Sequence, residues 1–147
     1  MKRAAPYLLA CALLTAQIPT AFAQTIIEQT STQKMEQIFK SAGYSYTVDD
    51  DGDLIWKLQG YRVYMIIGKD KNALQFRAAF QDTSTTLEHA NEWNKTKNYS
   101  RTYLDDSGDP VLELDLDLAG GVTEARILDF LKTCDVSLQR WVDEVVQ

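Results

Sequence analysis

Three kinds of residue in this chain are candidates for chemistry: clustered carboxylates, a single histidine and two cysteines. The strings Asp49-Asp50-Asp51-Gly52-Asp53 and Asp105-Asp106-Ser107-Gly108-Asp109 invite a calcium reading. An EF-hand loop needs its glycine in sixth place, an acidic first ligand and a glutamate in twelfth place. Aligned on Gly52, those two ligand positions fall on Thr47 and Leu58; aligned on Gly108, on Tyr103 and Leu114. Both alignments fail. Asp and Gly gather in hairpin turns because they tolerate turn dihedrals and bond their own backbone, so turns are the expected role. A loose oxygen-ligand set of Asp49, Asp51 and Asp53 is the residual metal reading, and the expectation is no metal and no cofactor.

His89 lies between Glu88 and Glu92 in a segment with helical period. General-base catalysis needs a pocket and a partner nucleophile, and no Ser or Cys here sits in a motif such as G-x-S-x-G. A hydrolase centred on His89 would need an Asp or Ser within hydrogen-bond reach of its ring. The expected setting is a solvated helix face, with Glu92 as a surface partner one turn on. Cys134 falls on the apolar stripe of the last helical segment, where a free cysteine behaves as a small buried hydrophobe. The sharper alternative is that this stripe doubles as a dimer seam, bringing two copies of Cys134 together. No residue is assigned a catalytic role.

The strongest binding candidates lie on strands. In the run from Leu54 to Phe80 the apolar residues alternate, which leaves Lys57, Arg62, Tyr64 and Arg77 together on the opposite face. In the run from Val111 to Leu118, Leu112, Leu114, Leu116 and Leu118 face one way and Glu113, Asp115 and Asp117 the other. A one-residue slip would bury three carboxylates, so this register is firm. Such a mixed face suits a protein or peptide partner; the competing reading is a solvated sheet face crossed by ion pairs.

The elements that must position these residues follow an N-terminal leader pattern. Lys2 and Arg3 precede an apolar stretch from Tyr7 to Ile18, and Ala21-Phe22-Ala23 is a small-x-small cleavage signal. The chain therefore reads as a signal peptide, 1–23, cut between Ala23 and Gln24, followed by one domain, 24–147, in the periplasm or outside the cell. Cleavage removes two basic and no acidic residues, so the net charge moves from −6 to −8. That balance, with no basic patch, argues against a nucleic-acid partner. Cys11 leaves with the leader, so Cys134 has no intramolecular partner and the core must supply the stability.

Within the domain, Met35, Ile38, Phe39 and Ala42 predict a helix over 31–42, ended by Gly43. Strands over 44–48, 54–58, 61–67 and 74–80 form a meander. A second helix spans 84–94, capped by Ser84 or a neighbouring Thr, and strands over 100–104 and 111–118 follow. Thr123 caps a closing helix over 123–145, where Ile127, Leu131, Cys134, Leu138, Trp141 and Val145 step by four and three. The expected fold is α+β: a twisted antiparallel sheet of five to six strands with three helices.

Trp93-Asn94, Arg101, Tyr103-Leu104-Asp105-Asp106-Ser107-Gly108, Glu113 to Leu118, Gly120-Gly121-Val122-Thr123 and Phe130-Leu131 resemble the YbjN family, bacterial proteins labelled as sensory transduction regulators. The resemblance runs from about Met35 to Trp141. The same element order is similar to the class I type III secretion chaperones, which implies a homodimer and a bound peptide. Those chaperones are cytosolic, whereas this chain carries an export signal. Two glycosylation sequons, Asn94-Lys95-Thr96 and Asn98-Tyr99-Ser100, are accidental in a bacterial protein, and Asn94 is read as a left-handed helix cap. The functional expectation is an exported, non-enzymatic binding module. The alternative is a carrier holding a small apolar ligand between sheet and last helix, against Trp56, Phe76 and Trp141.

Overall fold

Helix gives way to sheet at Gly43. In the computed structural model, which describes residues 25–146, helix α1 (Thr32–Ser41) starts at a Ser31 cap whose hydroxyl accepts from the Lys34 N–H. It ends in a Schellman turn: Gly43 is left-handed at φ 77°, its N–H meets the Lys40 carbonyl, and the Tyr44 N–H meets that of Phe39. Strands β2 (Ser45–Val48), β3 (Leu54–Leu58), β4 (Tyr61–Ile67) and β5 (Ala73–Ala79) then run as the expected meander. Gln59 and Gly60, both at positive φ, form the tight β3–β4 turn.

Helix α2 (Leu87–Thr96), strands β6 (Arg101–Leu104) and β7 (Pro110–Asp117), and helix α3 (Glu124–Trp141) complete the α+β fold, and a π-helical turn over Val142–Val146 follows. The six-stranded antiparallel sheet has the order β2-β3-β4-β5-β7-β6. Strand β7 sits between β5 and its own hairpin partner β6, and aligns with β5 over seven residue pairs from Ala73↔Asp117 to Ala79↔Val111. Two further short strands, β1 (Ile26–Ile27) and β8 (Val122–Thr123), pair with each other. The sequence pattern gave no sign of them, because two residues carry no period. Gly121, at φ 92°, lets them meet: a side chain there would collide with Ile26.

Apart from Val111 and Glu113, which are buried on the other side of β7, the alternation holds. Leu54, Trp56, Val63, Met65, Leu74, Phe76, Leu112, Leu114 and Leu118 are buried beneath α1 and α3, and the carboxylates of Asp115 and Asp117 lie on the other side. Every residue of the expected α3 seam is buried, Cys134 and Trp141 completely. That stripe is consumed by the molecule's own core, so Cys134 is not presented to a second copy. Trp56, Phe76 and Trp141 do not line a ligand pocket. Trp56 packs edge-on against Phe39 and Phe76, with ring centroids at 5.1 and 6.2 Å, and Trp141 stacks on Phe80 at 5.4 Å. Side chains fill the space the carrier reading required.

Asn94 also has a different role from the expected cap. It lies inside α2, and its amide meets the free edge of β6: Nδ2 donates to the Thr102 carbonyl at 2.8 Å, and Oδ1 accepts from the Thr102 N–H at 2.9 Å. In an edge strand alternate residues turn both backbone groups outward, which invites pairing with another chain. The asparagine closes that position as a neighbouring strand would. Asn94→Ala should therefore cost ~1–3 kcal/mol, the penalty for stranding groups of the almost fully buried Thr102. Urea denaturation measures the loss, and light scattering should report a rise in self-association. An unchanged midpoint would mean that water replaces the amide without cost.

Candidate functional site

The open side of the sheet gathers the residues expected to bind. Register places Ile55, Tyr64, Arg77, Glu113 and Arg101 in one row across β3, β4, β5, β7 and β6, with Lys57 opposite Arg62 in the next row and Gln75 opposite Asp115 on the other side. Asp117 pairs with Ala73 at the end of this face, where its Oδ1 accepts from the Ala119 N–H at 2.8 Å. Helices α1 and α3 cover the opposite side.

Within this face the charges divide into two groups. Around Glu113 they neutralise one another: Arg101 Nη2 lies 2.6 Å from Oε2, Arg77 Nε lies 3.8 Å from Oε1, and the Tyr103 hydroxyl donates to Oε1 at 3.0 Å. Arg101 also reaches Asp115 at 2.9 Å, and Gln75 donates to the same carboxylate. Glu113 was expected to be outward and wet; it points away from the core, yet only 6% of it is exposed because Arg101 and Tyr103 roof it over. Hydrogen bonding to Glu113 raises the Arg101 pKa further, and burial, then the bond to Glu113, raises that of Tyr103. Neither Arg101 nor Tyr103 was proposed as a site residue. Their role depends on the register of the β6–β7 hairpin, which sets Arg101 opposite Glu113, and the turn residues between the strands do not name that pair.

At the β3–β4 end the balance is different. Lys57 and Arg62 face each other as like charges, both exposed, and neither has an acidic partner among the described residues. Tyr64, 41% exposed, lies on the same surface. Directly opposed like charges are unfavourable until an anion meets them, so this patch is the part of the face with unmet chemistry.

The other candidates have structural roles. His89 is exposed, and its Nδ1 accepts from the Thr86 N–H at 3.4 Å while its own N–H donates to the Thr86 hydroxyl at 3.3 Å, which makes it the closing member of a capping box at the start of α2. Glu92 bonds Lys95 instead of His89. Cys134 is enclosed, and burial pushes its thiol well above the ordinary range, away from the reactive thiolate.

The two acidic turns are copies of one device. Asp49 Oδ1 accepts from the N–H groups of Asp51 and Asp53, and Asp105 Oδ1 from those of Ser107 and Asp109. Gly52 and Gly108 supply the left-handed residue in each. These oxygens serve the backbone. Asp53 accepts from the Ile67 N–H at 2.9 Å, yet burial raises its carboxyl pKa above the usual 3.8, an effect the nearby Asp49 and Asp51 charges reinforce. A carboxyl whose folded pKa is raised holds its proton more tightly in the folded chain. Stability is then greatest below the unfolded pKa and falls as pH rises through the window up to the folded one. Asp53→Asn keeps an acceptor for Ile67 and removes the charge. It should raise the urea midpoint at neutral pH and lose that advantage below about pH 3; a midpoint lowered at neutral pH would show that the charge is favourable.

Among the described residues no helix is long and apolar enough to cross a membrane, and no group of three or more His, Cys, Asp or Glu side chains converges as a metal site would require. The leader and the Ala23–Gln24 cleavage point lie outside the described residues.

Comparison with known proteins bears on the fold and the family. No curated protein sequence matches the chain. Among solved structures, the "Crystal structure of YbjN, a putative transcription regulator from E. coli" superposes with a TM-score of 0.62 at 14% identity, covering 84% of this chain and 99% of that chain, a likeness that concerns the fold alone. The family model described as "Putative bacterial sensory transduction regulator" matches residues 31–147, from the cap of α1 past α3 and the π-helical turn that follows it, and on that match the chain belongs to the YbjN family.

Proposed function

We propose that this protein is an exported, non-enzymatic binding module that holds an acidic segment of a protein partner on the open face of its sheet. The single observation behind this reading is the pair Lys57 and Arg62, exposed and without acidic partners among the described residues, beside the exposed Tyr64, in a chain of net charge −6. Carboxylates from a partner would relieve the like-charge opposition, and the tyrosine ring offers a rigid contact at low entropic cost. The self-neutralised cluster around Glu113 forms the firm half of the surface. A peptide suits the patch better than nucleic acid: two free cations supply little of the counterion release on which phosphate-backbone affinity depends. The regulatory description attached to the family agrees with a protein that acts by holding a partner. The leader pattern, Lys2-Arg3 ahead of an apolar stretch and Ala21-Phe22-Ala23, supports an encounter outside the cytoplasm, with the protein as a homodimer.

The test uses residues 24–147 as bait in a periplasmic extract, alongside a variant carrying Lys57→Glu, Arg62→Glu and Tyr64→Ala. A reproducible protein captured by the parent and lost by the variant supports the reading. Equal capture by both removes the patch from it. Intact mass of the product made from the full-length precursor checks export, which requires a mature chain beginning at Gln24.

A further inference from the structure

A second surface carries unmet chemistry, and it does not depend on the sheet face. Between the solvent side of α3 and the segment that leads from α2 into β6 lies a cleft of about 440 Å³. Trp93 lies at its base, fixed by an indole N–H that donates to the Ser100 hydroxyl at 3.0 Å. Along α3 the wall presents Lys132, Val136 and Arg140, spaced by four residues so that they share one helix face over about 12 Å. Val136 is 54% exposed, and neither Lys132 nor Arg140 has an acidic partner among the described residues. Lys97, by contrast, is committed to Glu144 at 2.6 Å.

Tyr99 forms the opposite lip. It sits at φ 66°, a left-handed backbone conformation that costs a bulky side chain ~1–2 kcal/mol. Burial does not offset that cost, because the residue is 83% exposed. A glycine would fit the bend without strain, so the ring is maintained against the local preference. Of the four described non-glycine residues at positive φ, Tyr99 alone is aromatic, and strained residues of this kind gather at functional sites. On its far side Tyr99 lines a neighbouring cavity of about 360 Å³, which shares Thr133 with the first. The tyrosine therefore borders both hollows.

We infer that this cleft binds a small anion built on an aromatic ring: the ring stacks between Tyr99 and Val136, and the acid group meets Lys132 or Arg140. The volume falls within the ~300–1,000 Å³ of small-molecule sites. A ring lying against an exposed aromatic and a valine gains apolar contact, while two uncommitted cations select for negative charge. The Ser137 hydroxyl, on the same wall, is available to a polar substituent.

The probe is anilinonaphthalene sulfonate, an aromatic anion whose fluorescence rises on transfer from water, compared with its uncharged relative phenylnaphthylamine. The parent protein should bind one sulfonate probe saturably, and the neutral compound should bind at least about tenfold more weakly, the factor set by one charge-assisted hydrogen bond. Lys132→Ala with Arg140→Ala should weaken the sulfonate by a similar factor. Tyr99→Gly should lose affinity while raising the urea midpoint, because glycine relieves the backbone strain. Lys57→Glu with Arg62→Glu, on the sheet face, should leave probe affinity unchanged, which separates this site from the proposed partner face. The inference is overturned by absence of saturable binding, by equal affinity for the neutral compound, or by a Tyr99→Gly protein that binds as the parent does.

Discussion

Trp141→Ala is expected to remove ~3–5 kcal/mol of stability, the range for deleting a large aromatic from a close-packed core. Trp141 has no exposed surface and stacks on Phe80. Its indole N–H donates to the Thr102 hydroxyl at 2.9 Å, and that hydroxyl donates to the Val111 carbonyl at 2.7 Å. The side chain therefore joins the end of α3 to the β6–β7 hairpin both by packing and by a buried polar relay. Trp141→Phe keeps a smaller ring against Phe80 but loses the donor and part of the packing, so it should cost less than the alanine variant, ~1–3 kcal/mol. Equilibrium urea unfolding followed by far-ultraviolet circular dichroism measures both. A loss below 1 kcal/mol for the alanine variant would show that the helix end is not seated on the hairpin as described.

Glu113→Ala should have the second largest effect, about 2 kcal/mol. Two arginines and a tyrosine hydroxyl converge on this nearly enclosed carboxylate, and a charge-assisted hydrogen bond in such a place is worth ~1.5–3 kcal/mol. The figure stays at the low end because the Arg77 and Arg101 side chains are 41% and 57% exposed and recover solvation once released. Glu113→Leu should restore much of the loss, since an apolar side chain suits the enclosed position and leaves no buried charge unpaired. A double-mutant cycle with Arg101→Ala isolates the pair; a coupling energy of zero would mean the roof over Glu113 opens freely. The leucine variant also tests the surface itself, because it removes the charge cluster without unfolding the sheet that carries Lys57 and Arg62.

Much of the architecture was legible in the residues. Leucines at 112, 114, 116 and 118 against Glu113, Asp115 and Asp117 admit one register, and the four-and-three stepping from Ile127 to Val145 admits one helix face. Both signals are local and repeated, and burial rewards each repeat in the same direction. The residues proposed for binding were drawn from the same alternation, which is why Lys57, Arg62, Tyr64, Arg77, Glu113, Asp115 and Asp117 share the open face. The apolar pocket was misjudged because composition does not distinguish aromatic residues that line a hollow from those that fill it. Asn94 was misjudged because its local chemistry as a helix cap is genuine in general, and only the approach of β6 gives the amide a better use.

The sequence by itself determined the period of each segment, and with it which side chains must leave water, since that choice depends on neighbours only a few residues away. The tertiary structure decided what the remaining polar side chains do. Strand β7 enters between β5 and β6, bringing Arg101 and Tyr103 over Glu113; α2 lies along the sheet edge, so that Asn94 serves Thr102; and α3 meets the segment after α2, placing Lys132 and Arg140 across from Tyr99. Hydrophobic burial is nondirectional and can be read along the chain, whereas hydrogen bonds and ion pairs need a specific atom at a specific distance, and that atom is supplied by whichever element the fold brings alongside.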